Sequence, residues 1–192
     1  MVFYARSPRH LEIEQAAALA AQADRDIAPA MRPGRIALVV DADDASLNAI
    51  IEHARPDMLQ LHGHEPPARI ADIKQRFGLP VMPVITVSSK QDIQEAGAVT
   101  ELADWILFDA QPSADSDGLP GGTGSSFDWS YLADFKSSTP WMLAGGLNAR
   151  NVAQAIEITQ APCVDISSGV EKNRGEKSKT AISAFVHAAK LG

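Results

Sequence analysis

Short apolar runs alternate with amphipathic segments along the whole chain. Seven of these runs are apolar at consecutive positions, which is typical of strands buried on both faces of a parallel sheet. We predict strands at Val2–Tyr4, Ile36–Val40, Met58–Leu61, Val81–Thr86, Trp105–Phe108, Trp141–Ala144 and Cys163–Ile166. The pattern therefore predicts an α/β fold with parallel strands.

Apolar residues recur at helical spacing between these strands and after the last one. Four such stripes predict amphipathic helices: Leu47, Ile50, Ile51 and Ala54; Ile70, Ile73 and Phe77; Val152, Ala155 and Ile156; Ile182, Phe185, Val186 and Ala189. Three helix starts are also predicted: a capping box formed by Ser89 and Asp92, a proline start at Pro66-Pro67, and an N-cap at Asn148.

From Ile36 onward, most strand starts are about 22–24 residues apart, the length of one strand–helix unit. One longer interval contains Pro112–Ser126, which we predict to be a loop, and then a short helix at Tyr131–Phe135. No linker interrupts the chain, so residues 1–192 are predicted to form a single domain. The spacing of the predicted strands is compatible with an open doubly wound sheet and with a closed barrel.

Charge and cysteine content narrow the function classes. The chain has 17 basic and 24 acidic side chains, for a net charge of −7, which argues against nucleic-acid binding.

Its single cysteine, Cys163, excludes an intrachain disulfide and a cysteine-based zinc site, and is expected to pack as a small apolar residue. The apolar runs are too short to span a membrane. We predict a cytoplasmic protein that binds no membrane.

Polar and glycine residues follow the predicted strands at their carboxyl ends, which form the ligand-binding edge of parallel α/β folds. They are Arg6–Arg9, Asp41–Asp44, His62–Glu65, Asp109, Gly145-Gly146 and Ser167–Gly169. The last two groups could expose backbone N–H groups to a phosphate, or could simply form turns.

Three side chains at this edge are candidates for chemistry. A carboxyl at the apolar mouth of a fold should have a raised pKa, so Asp109 could act as a general acid, or it could cap a loop. Arg9 could hold a carboxylate with two hydrogen bonds, or lie on the surface. His62 could orient a substrate, or be a core histidine.

An ordered set of motifs then covers essentially the whole chain: Phe3-Tyr4 with Ser7-Pro8-Arg9, Gln60-Leu61-His62-Gly63, Phe108-Asp109-Ala110, Gly121–Gly124 with Phe127-Asp128-Trp129, Leu143–Leu147, and Asp165–Glu171. This set resembles the phosphoribosylanthranilate isomerases of tryptophan biosynthesis.

The resemblance implies a (β/α)8 TIM barrel of the ribulose-phosphate-binding type. It also implies an Amadori rearrangement of a small phosphorylated substrate, without cofactor or metal. Asp109 matches the general acid that protonates the furanose ring oxygen, and Arg9 matches the arginine that meets the anthranilate carboxylate. Asp165 lies beside the substrate, and His62 is a further substrate-binding candidate. The phosphate-binding positions are Gly145, Gly146, Ser168 and Gly169, and Gly121–Gly124 match a loop expected to move over the mouth.

The chain departs from the family pattern at its start. Family members begin with a strand ending in Lys-Ile-Cys-Gly, followed by a helix, and that cysteine is the general base. This chain begins at what resembles the second strand, so we expect the first strand and helix to be absent from it. Cys163 does not match the missing base. An incomplete barrel would expose sheet edges, which a partner strand or a second copy could cover.

Three hypotheses remain open at this point. The first is an isomerase of this family with an incomplete N-terminus. The second is a catalytically impaired or inactive phosphate-binding barrel fragment that needs a partner strand. The third is another barrel enzyme of the pathway, such as indole-glycerol-phosphate synthase, although Ser7-Pro8-Arg9 with Phe108-Asp109-Ala110 fits the isomerase better.

Overall fold

The computed structural model describes residues 1–110 and 126–192, which form two compact units, Met1–Met82 and Pro83–Gly192. The first unit contains α1 (Ile13–Asp26), β1 (Ile36–Val39), α2 (Asp44–Ala54), β2 (Met58–Leu61) and α3 (Pro67–Phe77). Strand β3 (Val81–Val87) begins in the first unit and ends in the second. The second contains α4 (Lys90–Glu95), α5 (Gly97–Thr100), β4 (Ile106–Ala110), β5 (Trp141–Leu143), α6 (Val152–Thr159), β6 (Glu171–Asn173), β7 (Glu176–Lys177) and α7 (Lys179–Ala189).

In the first unit, β1 and β2 are parallel, with Ile36 opposite Met58. The backbone N–H of Leu59 donates to the carbonyl of Pro80, just before β3 begins. Helix α2 starts where the Asp43 carboxylate accepts a hydrogen bond from the Ser46 N–H, at 2.8 Å. It buries Leu47, Ile50 and Ala54, which confirms the predicted apolar stripe.

In the second unit, β3, β4 and β5 run parallel, with Val84 opposite Leu107 and Phe108 opposite Leu143. Phe108 is fully buried and meets two other rings edge to face: its centroid lies 4.9 Å from that of Phe135 and 5.6 Å from that of Trp141. The predicted parallel α/β fold is confirmed. The single-domain prediction remains a prediction.

Two predicted strands are reduced to isolated bridges, which corrects the expected strand count. Val2 bridges to Leu38 and His10, and Val164 bridges to Leu143. The first run is cut short because the chain turns at once, with the Ser7 N–H donating to the Tyr4 carbonyl. Its apolar residues were correctly located, but consecutive ladder pairs do not form around them.

Several local predictions can be compared with the helices. The Ser89–Asp92 capping box and the start of α3 at Pro67 are confirmed. The N-cap prediction at Asn148 is wrong, because Asn148 opens a turn and α6 begins after Asn151. The short helix expected at Tyr131–Phe135 is a 3-10 turn at Trp129–Leu132, which begins earlier because the Asp128 side chain caps it.

The structure also contains two features that were not predicted, helix α1 and the antiparallel β6–β7 hairpin. The predicted Pro112–Ser126 loop and the Gly121–Gly124 motif fall almost entirely outside the described residues. Within residues 1–110 and 126–192, no helix has the length and apolar character needed to cross a membrane.

The aromatic cluster predicts a large stability effect at one position. Phe108→Ala should lower the free energy of unfolding by about 3–5 kcal/mol, because it removes a buried ring and leaves a cavity between Phe135 and Trp141. Phe108→Leu should lose less, since most of the apolar volume remains. Denaturant unfolding would measure both, with Val186→Ala, a half-exposed position on α7, as the control. Equal losses in Phe108→Ala and Val186→Ala would contradict the assignment of this core.

Candidate active site

Asp109 is a carboxyl group placed inside a strand rather than after it. All five residues of β4 are buried, and Asp109 is only 7% exposed. Its Oδ1 accepts a hydrogen bond from the N–H of the next residue, Ala110, at 2.8 Å. A carboxyl held in this way is costly to ionise, because few water molecules can reach its charge.

A second carboxyl lies in the same row of the second unit. Phe108 pairs with Leu143, and Leu143 bridges to Val164. The next residue of each segment continues this parallel register, so Asp109, Ala144 and Asp165 form the following row. Residues in one row of a parallel sheet project to the same face. Neighbouring strands are about 4.8 Å apart, which separates the two aspartate backbones by roughly 10 Å. The two carboxyl side chains therefore influence each other directly.

The pKa of each carboxyl follows from these surroundings. Burial, and then the negative charge of Asp165, raise the pKa of Asp109 to about 7. The pKa of Asp165 is also raised by the protein atoms around it, but the positive charge of Lys177 opposes that rise. With a pKa of about 7, Asp109 retains its proton over most of the range below neutral pH.

Each of the two glycine loops approaches another stretch of backbone closely. Gly145 has φ +90°, and a Cβ there would lie 2.6 Å from the backbone nitrogen of Ala110, next to Asp109. A Cβ on Gly169 would collide with the carbonyl oxygen of Leu147. Glycine is required at both positions, because any side chain would push the backbones apart. The structure thus brings the Gly145-Gly146 loop against Ala110, the residue after Asp109, and the Ser168-Gly169 loop against Leu147.

In the first unit, Arg9 belongs to a compact turn. The Arg9 N–H donates to the Ser7 hydroxyl oxygen at 3.2 Å, and the Leu11 N–H donates back to the Val2 carbonyl. The guanidinium group is therefore carried by a turn that is closed by its own backbone hydrogen bonds.

His62 follows β2 and is only 8% exposed. The Gln60 side-chain amide donates to His62 Nδ1 at 3.3 Å, which places the proton of the neutral ring on Nε2. Burial lowers the pKa of His62 to about 4, so the ring is neutral near pH 7. A neutral ring can donate one hydrogen bond through Nε2, which suits substrate orientation and suits a core histidine equally.

The loops after β1 and β2 are joined by one carboxylate. Glu65 accepts from the Asp41 N–H at 2.8 Å and from the Gly63 N–H at 2.9 Å. A Cβ on Gly63 would lie 2.6 Å from the Asp41 backbone nitrogen. The polar groups expected at this edge of the first unit therefore do come together.

Comparison with known proteins identifies the family. The model of the N-(5′-phosphoribosyl)anthranilate isomerase family matches residues 2–188. This chain belongs to that family. The resemblance found in its motifs is confirmed, and the chain is an enzyme of the isomerase class.

Similar proteins support the same conclusion. The N-(5′-phosphoribosyl)anthranilate isomerase of Parvibaculum lavamentivorans is 50% identical over 190 residues, which cover 98% of this chain and 86% of the relative. The crystal structure of phosphoribosylanthranilate isomerase from Thermotoga maritima has a TM-score of 0.82 and 29% identity, covering 99% of this chain and 86% of that one. A third structure is a phosphoribosylanthranilate isomerase in complex with reduced 1-(o-carboxyphenylamino)-1-deoxyribulose 5-phosphate. It has a TM-score of 0.78 and 28% identity, and covers 99% of this chain and 85% of that one.

Each unit of this isomerase family member carries some of the residues predicted from the sequence. The second unit carries Asp109, Asp165 and both glycine loops, and the first carries Arg9 and His62. Sequence reasoning missed Lys177, whose charge acts on Asp165. The glycine between polar residues in Asn173–Glu176 is a hairpin signal that could have indicated why Lys177 returns toward the Ser167 loop.

The raised pKa of Asp109 predicts how stability depends on pH. Between pH 4 and pH 7 the folded protein keeps a proton on Asp109 that the unfolded chain releases, so this group lowers stability progressively as pH rises. Asp109→Asn removes that loss. Relative to the wild type, the variant should gain on the order of 1–4 kcal/mol in unfolding free energy between pH 4 and pH 8. Denaturant unfolding of the wild type and of Asp109→Asn across that range is the measurement. If the unfolding free energies of the two proteins changed with pH in parallel, Asp109 would titrate like an ordinary aspartate.

Proposed function

We propose that this chain catalyses the Amadori rearrangement of N-(5′-phosphoribosyl)anthranilate to 1-(2-carboxyphenylamino)-1-deoxy-D-ribulose 5-phosphate, with Asp109 as general acid. Membership of the isomerase family supports the reaction class. The observation that carries the proposal is the buried Asp109 carboxyl, whose pKa of about 7 keeps a proton available near neutral pH. A general acid works best when its pKa lies close to the working pH.

The first step uses that proton. Asp109 donates it to the furanose ring oxygen while the C1′–O bond breaks, and the anthranilate nitrogen supplies its lone pair to form a C1′=N bond. The ring opens to an iminium, and Asp109 is left as a carboxylate. Loss of the proton on C2′ then gives an enolamine, which becomes the aminoketose by tautomerisation.

Asp165 supports proton donation by its charge. The negative charge of Asp165 raises the pKa of Asp109, which keeps the proton on Asp109 until the substrate oxygen takes it. Its place in the same row as Asp109 also suits a position beside the sugar.

The phosphate is assigned to the two glycine loops. Gly145, Gly146, Ser168 and Gly169 offer backbone N–H groups without intervening side chains, and Ser168 adds a hydroxyl. The close approach of Gly169 to Leu147 places these loops side by side, as a single anion with several oxygens requires. A solved family member in complex with a reduced phosphorylated product analogue supports a phosphorylated ligand for this chain.

The anthranilate end is assigned to the first unit. Arg9 would hold the carboxylate with two parallel hydrogen bonds, and His62 would donate through Nε2 to an oxygen of the substrate. These roles are carried over from the family motifs Ser7-Pro8-Arg9 and Gln60–Gly63. Neither role requires a cofactor or a metal ion.

The base that removes the C2′ proton is not assigned to any of residues 1–192. Cys163, the single cysteine, lies in the apolar run before Asp165 and does not match the cysteine of the family. Loss of a general base typically lowers a rate by about 10²–10⁴-fold. Binding and ring protonation depend on the residues assigned above, and they can be tested separately from the base.

One experiment separates the proposed enzyme from a binding protein. The purified 192-residue chain is assayed for turnover of N-(5′-phosphoribosyl)anthranilate, and for affinity toward the reduced product analogue. Turnover together with analogue binding supports the proposal. Analogue binding without turnover supports the impaired fragment that needs a partner strand, and absence of both would contradict the site.

Asp109→Asn provides the test of the acid. The variant should lower kcat by about 10²–10⁴-fold while the affinity for the product analogue changes little, because only proton donation is lost. Steady-state kinetics and titration calorimetry measure the two quantities. An unchanged kcat would remove Asp109 from the mechanism.

Arg9→Ala should show the opposite pattern. It removes an interaction with the carboxylate that is the same in the ground state and the transition state, so KM should rise while kcat stays nearly constant. Arg9→Lys keeps the charge but loses the paired hydrogen bonds, and should give an intermediate KM. A large fall in kcat with constant KM would show that Arg9 acts in the chemical step.

A further inference from the structure

The β6–β7 hairpin begins where the Ser167–Gly169 loop ends, and it returns one lysine to that loop. Lys177 Nζ donates to the Ser167 carbonyl oxygen at 2.8 Å and lies 3.3 Å from the Ser167 hydroxyl oxygen. It also donates to Glu171 Oε1 at 2.8 Å. One ammonium group therefore joins the last strand of the hairpin to the start of the proposed phosphate loop.

The partner of Lys177 is itself fixed. The Glu171 side chain is 5% exposed, whereas that of Lys177 is 42% exposed. The second oxygen of Glu171 accepts from the Gly175 N–H at 3.1 Å, in the turn of the hairpin. Backbone pairing of Glu171 with Lys177, and a hydrogen bond from the Ser178 N–H to the Val170 carbonyl, close the segment. Lys177 is thus held in one place by a buried carboxylate and a closed backbone.

We propose that Lys177 is a positioning residue for phosphate binding, which sets the orientation of the Ser167–Ser168 peptide by holding the Ser167 carbonyl. This inference rests on the proposed function, because it assigns the phosphate to the Ser168-Gly169 loop. Lys177 acts through Ser167 and not by contact with the reacting atoms.

Peptide geometry explains how the hold is transmitted. The carbonyl of Ser167 and the N–H of Ser168 belong to one planar trans peptide, in which they point in opposite directions. Fixing the carbonyl toward Lys177 therefore aims the Ser168 N–H to the opposite side of the loop. Movement of the loop is also restricted at Gly169, whose Cα lies so close to the Leu147 carbonyl oxygen that no side chain would fit between them. Two fixed contacts thus leave the loop little freedom to rotate its N–H groups.

Lys177 also links the phosphate loop to the carboxyl pair. Its charge opposes the rise in the pKa of Asp165 that the surrounding protein causes. Lys177 therefore lies close enough to Asp165 for its charge to act on that carboxyl. A purely structural surface ion pair would instead contribute little, and its loss would leave ligand binding unchanged.

Three variants test the inference against a matched control. The control is Lys172→Met, which removes an equal charge from the same hairpin, where Lys172 pairs with Glu176 at 2.6 Å. Lys177→Met should weaken binding of inorganic phosphate by about 10-fold or more, whereas Lys172→Met should change it by less than about 2-fold. Lys177→Arg, which can still donate to the carbonyl, should recover most of the affinity. Calorimetry gives each Kd, and thermal unfolding checks that each variant is folded.

Glu171→Gln distinguishes positioning from simple attraction between charges. If Lys177 acted only through its charge, removing the acidic partner would strengthen phosphate binding. If Lys177 is a positioning residue, loosening its anchor should weaken binding, although the net charge becomes more favourable. Stronger binding in Glu171→Gln, or equal binding in Lys177→Met and Lys172→Met, would overturn the inference.

The wild type separates this inference from the proposed function. A wild-type chain that binds neither inorganic phosphate nor the reduced product analogue would overturn both. Wild-type binding that is insensitive to Lys177→Met would overturn the inference alone, and leave the phosphate assignment standing.

Discussion

The second unit depends on one electrostatic constraint: two carboxyl groups, Asp109 and Asp165, lie in one row of parallel strands and cannot both ionise cheaply. Burial and the neighbouring charge retain the proton on Asp109. A neutral buried acid costs less stability than a buried charge, and it is also the form that can protonate a sugar oxygen. In the proposed mechanism, stability and chemistry are therefore coupled at this position, since the raised pKa of Asp109 that suits it to donate a proton also makes the fold less stable as pH rises.

In the proposed function, the remaining features of this edge hold the phosphate of the substrate. Gly145 brings a backbone loop against Ala110, and Gly169 brings a second loop against Leu147, so main-chain groups approach without side chains between them. Lys177 and Glu171 then hold the second loop through Ser167. The same ammonium group acts on Asp165 by its charge, so one lysine influences both the loop and the carboxyl pair.

Sequence reasoning located the parallel strands, Asp109 and both glycine loops, because apolar runs and the residues that follow them carry strong local signals. It missed features that depend on tertiary pairing. Asparagine is a favoured N-cap residue, which is why Asn148 was predicted to cap α6. The Asn148 N–H instead donates to the Asn151 side chain in a turn, and Asn151 is the N-cap of α6. Val2 and Val164 lie in apolar runs that predict strands, but they form isolated bridges and not continuous ladders. Lys177 resembles any surface lysine until the hairpin returns it to Ser167.

The protonation state of Asp109 is the central claim, and it can be measured directly. Carbon-13 NMR of aspartate side-chain carboxyls, assigned by comparing the wild type with Asp109→Asn, follows each group through a pH titration. The account predicts that the Asp109 signal titrates at about 7 and that the transition moves to lower pH in Asp165→Asn, which removes the neighbouring charge. An Asp109 signal that titrates near 4, or one that is unaffected by Asp165→Asn, would contradict it.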